Sequence, residues 1–186
     1  MSVLRQNLLD GRAIAVTAGV PVTVREALAG LGARVEPIDR SERLGEDEER
    51  VGDWSRARVP LDAVVYDARG EFGEGGEAAL TAALELAWVA VREVATGALI
   101  PAGAPGKVLL IGPRPGDGPF AEAARAALEN LARTLSVEWA RHGVTAAMIA
   151  PGDSTSDAQL AELVCFLVSE AGGYLSGCRL ELGAVA

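Results

Sequence analysis

The sequence predicts an α/β fold: a doubly wound parallel sheet with helices on both faces. Three observations carry that expectation. Leu8–Asp39 holds a strand at Ala13–Val16, a helix at Val24–Leu31 and a strand at Arg34–Ile38, and a βαβ unit implies parallel pairing. Gly118–Gly152 reads as a long helix feeding Val144–Ala150, a nearly unbroken apolar run of the kind found in strands buried on both faces. At 186 residues, 49% of them apolar, the chain is expected to form one globular domain over 1–186.

The elements follow in order. Thr17-Ala18-Gly19-Val20-Pro21-Val22-Thr23 joins the first strand to its helix, and Thr23 is the candidate N-cap. Ser41–Arg58 carries the acidic patch Glu46-Asp47-Glu48-Glu49 and reads as a surface loop or short helix, with Trp54 as its anchor; such runs are usually solvated faces. Leu61–Gly70 is a strand and turn in which Tyr66 is expected to pack its ring with the hydroxyl at the surface, and Arg69 to snorkel outward. Glu77–Ala95 is apolar nearly all round and should be buried on more than one side. Pro101–Gly106 turns into the strand Lys107–Ile111. In the long helix, Leu128, Leu131, Leu135 and Trp139 share one face, and Arg141-His142-Gly143 ends it. Asp153–Asp157 leads into a helix at Ala158–Glu170, and a strand near Cys178 closes the chain.

Composition excludes several function classes. A net charge of −9 argues against nucleic-acid and anionic-membrane surfaces. No apolar run reaches the roughly 18–20 residues of a spanning helix, and the opening MSVLRQNLLDG lacks a signal peptide's apolar stretch, so a cytoplasmic location is expected. Cys165 and Cys178 fall in a helix and a strand, which favours two free thiols over a disulfide. A single histidine and two separated cysteines supply no metal site, and no G-x-S-x-G turn suggests a serine hydrolase.

The phrase Ala124–Ala140, ARAALENLARTLSVEWA, resembles S-K-A-A-L-x-x-L-T-R-S-L-A-x-E-L-A of the short-chain dehydrogenase/reductase (SDR) family. LLDGRAIAVT, GLGARVEPIDR, LDAVVYDARG and the closing AELVCFLVSEAGGYLSGCRLELGAV extend the resemblance along nearly the whole chain. It implies a Rossmann-like sheet, shortened relative to a full SDR of roughly 250 residues. It also marks where the family does its chemistry. The catalytic serine, tyrosine, lysine and asparagine positions hold Pro113, Ala121, Arg125 and Ala83. The family's T-G-x-x-x-G-x-G loop is about three residues shorter here and keeps only Gly19. Asp39, Ala68, Pro151 and Gly152 occupy further cofactor-lining positions as vestiges. The substrate-covering loop that follows Pro-Gly in the family is reduced to five residues, Asp153–Asp157.

The expectation is therefore a non-catalytic SDR-like subunit that binds no cofactor. The resemblance implies association with itself or with an intact SDR subunit through helices 77–95 and 120–141 and the C-terminal helix and strand. Two alternatives remain open. One is an NAD(P)-dependent oxidoreductase with an atypical active site, supported by Asp39 and Arg125. The other is a small-molecule sensor using the cleft at the strand carboxyl ends.

Overall fold

In a computed structural model, residues 4–38, 44–72 and 76–183 are described, with the side chains of 44–47 outside the description. The strands are β1 (Ala13–Val16), β2 (Arg34–Pro37), β3 (Ala63–Asp67), β4 (Gly106–Ile111), β5 (Val144–Pro151) and β6 (Cys178–Leu182). The helices are α1 (Val22–Gly30), α2 (Leu44–Arg56), α3 (Gly76–Val94), α4 (Ala121–Glu138) and α5 (Asp157–Val168). All six strands pair in parallel, in the order β2-β1-β3-β4-β5-β6. Winding reverses between β1 and β3, which opens a crevice at their carboxyl ends.

The apolar strands are buried on both faces because each face has its own helical layer. Val64, Tyr66, Val108, Leu110, Ala146 and Met148 belong to the core beneath α2, α3 and α4. Val65, Leu109, Ile111, Ala147 and Ile149 alternate with them into the core beneath α1 and α5. This is the period-two alternation of a strand, and it confirms the doubly wound fold.

The segment expected as a surface loop or short helix is the 13-residue helix α2. Trp54 is buried as its anchor, together with Val51 and Ser55. The Ser55 hydroxyl is 2.9 Å from the carbonyls of both Gly52 and Glu93. A β-carbon at Gly97 would collide with that hydroxyl, so glycine is what lets α2 lie against the π-helical turn Ala95–Leu99 that continues α3. Strand β2 is an edge of the sheet. Arg34 and Arg58 both pair with Glu36, and Pro37 has no N–H to offer. Charge and proline are two of the devices that keep an edge strand from recruiting another.

Two local expectations fail. Helix α1 begins at Val22, two residues early, with Pro21 as N-cap and no side-chain cap; Thr23 lies inside the first turn. Extended at φ −55° and ψ 149°, Pro21 enters the helix without a donor to satisfy. Tyr66 is fully buried, and its hydroxyl donates to Glu71 instead of reaching solvent.

Candidate functional site

The crevice between β1 and β3 is built from short, specific contacts. Thr17 continues β1: its N–H donates to the Val65 carbonyl (3.1 Å), and its hydroxyl accepts from the Asp67 N–H (3.0 Å). Gly19 passes so close that a β-carbon there would stand 3.0 Å from the Asp67 carbonyl oxygen. Gly19 therefore serves the chain's own close approach. Val20 is buried in the α1–α5 core.

Asp67 turns into this crevice with its side chain 1% exposed, and Arg69 folds back over it at 13%. The Arg69 Nη2 stands 2.8 Å from Asp67 Oδ2, and its backbone N–H also donates to the Asp67 carboxylate (3.0 Å). Arg69 Nη1 reaches Asp157 Oδ1 at 3.3 Å. Asp157 lies in the first turn of α5, where a negative charge is favoured by the helix dipole. Burial pushes the Asp67 carboxyl above its usual range while Arg69 pulls against it. Burial also opposes the Arg69 charge, but Asp67 and Asp157 outweigh that and hold the guanidinium protonated. Arg69 is thus an inward-facing clamp, not the outward-snorkelling arginine expected.

On the other side of β4, Arg125 projects from α4 and is 3% exposed. Its Nη1 donates to the carbonyls of Pro113 and Pro151, both at 2.8 Å. Its Nη2 stands 3.0 Å from Glu181 Oε2. One guanidinium thereby joins the ends of β4 and β5 to β6. The mouth above is tied as well. Arg114 donates to the Thr155 carbonyl (3.0 Å), and the Gly116 N–H donates to Asp153 Oδ1 (2.9 Å). The Thr155 hydroxyl accepts from the Gly152 N–H at 2.9 Å and donates to the Leu182 carbonyl at 2.5 Å.

The structure brings Pro113, Pro151 and Arg125 together. Ala83, Ala121 and Ala68 are buried and carry no functional group. Asp39 lies outside the described residues, as do the side chains of Glu46 and Asp47 in the acidic patch; Glu48 pairs with Arg92 (2.7 Å). Sequence reasoning missed the Asp67–Arg69–Asp157 bridge. Its one signal was the Asp-x-Arg spacing at a strand end.

Among the described residues, cavities open along the helices. One, of about 380 Å³, opens between α1 and α5 beside Ala27, Ala161 and Cys165. Another, of about 570 Å³, is an open trough along Glu77, Thr81 and Glu85 of α3. Both cysteines are free. Among the described residues there is no group of three or more potential metal ligands, and no helix is long and apolar enough to cross a membrane. On the helices expected to associate, Trp88 of α3 and Val137 of α4 are 37% and 74% exposed.

No protein-family model and no curated protein matches this chain. Solved structures do resemble it. The citronellol catabolism dehydrogenase AtuB of Pseudomonas aeruginosa PAO1 aligns at 23% identity and TM-score 0.77, over 98% of each chain. A hydroxysteroid dehydrogenase from Escherichia coli aligns at 17% identity and TM-score 0.79, over 97% of this chain and 99% of that one. Pseudomonas aeruginosa RhlG, solved as an active-site complex with NADP, aligns at 19% and 0.76, over 96% and 98%. At these identities the likeness is one of fold, and the fold is SDR-like.

Proposed function

We propose that this chain is a non-catalytic SDR-like subunit, a structural or regulatory partner in an oligomer whose other member is an intact SDR. The observation that carries the reading is the commitment of Arg125. At the family's lysine position, its guanidinium is buried and spent on two strand-end carbonyls and Glu181. A guanidinium stays protonated and makes a poor proton relay. Ala121 and Pro113 offer no hydroxyl beside it.

The residues present also fit a dinucleotide poorly. A pyrophosphate needs free backbone N–H groups at a helix N-terminus. Pro21 has none, the Val20 N–H already donates to the Thr17 carbonyl (3.1 Å), and the Arg69 bridge spans from β3 to α5 across that crevice. On this reading the chain carries no cofactor. Association runs through α3 and α4, where Trp88 and Val137 are exposed, and through α5 and β6.

The NADP held by RhlG favours a second reading, an NAD(P)-dependent oxidoreductase with an atypical site. Native mass spectrometry of the protein purified from its own cells, with NADH and NADPH added, separates the two. A second chain of SDR size in the assembly is the expected result. A homo-oligomer holding one dinucleotide per subunit overturns the proposal.

A further inference from the structure

Lys107 is the only lysine among the 17 basic residues of the chain. It sits at the amino-terminal end of β4, the end of the sheet opposite the crevice, with Ala63 and Thr145 as its register partners. Its backbone N–H donates to the Asp62 carbonyl (3.0 Å), but its side chain has no ion-pair partner among the described residues. The nearby carboxylates are taken. Arg12 Nη1 stands 2.8 Å from Asp62 and Arg12 Nη2 stands 2.8 Å from Glu170. The second Asp62 oxygen accepts from the Ala13 N–H, also at 2.8 Å.

The Lys107 ammonium is thus half-buried beside a second cation that has claimed the available counter-charge. The charged groups facing it are Arg12, which opposes its protonation, and Glu170, which favours it. Glu170 is 89% exposed, so water screens its attraction. Where a side chain would shield the amine, the chain has Gly173, whose position for a β-carbon lies 3.7 Å from Nζ.

We propose that Lys107 is a nucleophilic lysine and a site of covalent acylation by activated acyl donors of the acyl-phosphate class. The Nζ lone pair attacks the acyl carbon and a C–N bond forms. The bond from that carbon to the phosphate oxygen breaks, phosphate leaves with the bonding pair, and the proton lost from nitrogen passes to solvent. Only the neutral amine attacks. Burial, then Arg12, lowers the Lys107 pKa from the usual lysine value. Below that pKa, each unit of lowering raises the neutral fraction about tenfold. The product amide is uncharged, which removes the repulsion from Arg12.

The test treats the purified protein with acetyl phosphate at pH 8 and follows adducts by intact mass and peptide mapping, which separates Lys107 from the N-terminal amine. Lys107 should acetylate several-fold faster in the folded protein than in the same chain unfolded in guanidinium chloride. Arg12→Gln removes the opposing cation and frees Glu170 to pair with Lys107, and should slow the folded rate toward the unfolded one. Lys107→Arg should abolish the adduct on that peptide. A folded rate equal to or below the unfolded rate overturns the proposal, as does an Arg12→Gln variant that reacts as fast as the parent.

Discussion

The Arg69 guanidinium lies against the Asp67 carboxylate, with Nε 3.1 Å from each oxygen and Nη2 2.8 Å from Oδ2. Few geometries pair these groups more completely, and fork-to-carboxylate contacts of this kind are the stronger hydrogen bonds. The pair sits where the fold leaves its crevice and bridges it to Asp157 on α5.

Arg69→Gly would leave Asp67 buried without its cation. Breaking a buried pair from one side costs about 3–5 kcal/mol. Since Asp67 can take up a proton, the lower end of that range is expected. Asp67→Asn with Arg69→Gly removes both charges and should recover at least half the loss. Urea unfolding of the two single variants and the double variant gives the coupling. Additive losses would show that the two side chains act independently.

That pair marks where the sequence stopped being informative. The sheet and most helices were legible because strand burial and helix periodicity are written directly in residue order, as in Val144–Ala150 and Leu128–Trp139. The contacts that close the strand ends were not legible. Arg69 and Asp157 are 88 residues apart, and Arg125 and Glu181 are 56 apart; nothing local in the sequence links either pair. Thr23 misled because a good N-cap residue stands two positions past a proline that starts the helix by itself. Tyr66 misled because its partner, Glu71, lies in the loop beyond the strand and allows the whole ring to be buried.

Arg125→Lys should destabilise the protein. A single ammonium cannot span the Pro113 and Pro151 carbonyls and Glu181 together, and an unmet buried acceptor costs about 1–3 kcal/mol. Arg125→Met, which leaves every acceptor unmet, should cost more. Chemical denaturation ranks the three proteins. If Arg125→Lys were as stable as the parent, the guanidinium would not be the tie between β4, β5 and β6.

Cys165 provides a pH-dependent check on the α1–α5 packing. Burial first, with a contribution from Glu162, pushes its thiol from 9.0 up to about 11. The folded state therefore holds this proton more tightly than the unfolded chain does. Cys165 contributes fully below pH 9, and its contribution is lost as pH rises through 9 toward 11. The urea midpoint of the parent should fall across that window by more than that of Cys165→Ala, both having been compared at pH 7 first. Labelling at pH 8 supplies an independent readout, because the thiolate is the reactive form. A small maleimide should modify the half-buried Cys178 while leaving Cys165, which is 1% exposed, intact until the protein unfolds. Equal labelling of both thiols in the folded protein would mean that α5 does not pack against α1 as closely as the structure places it.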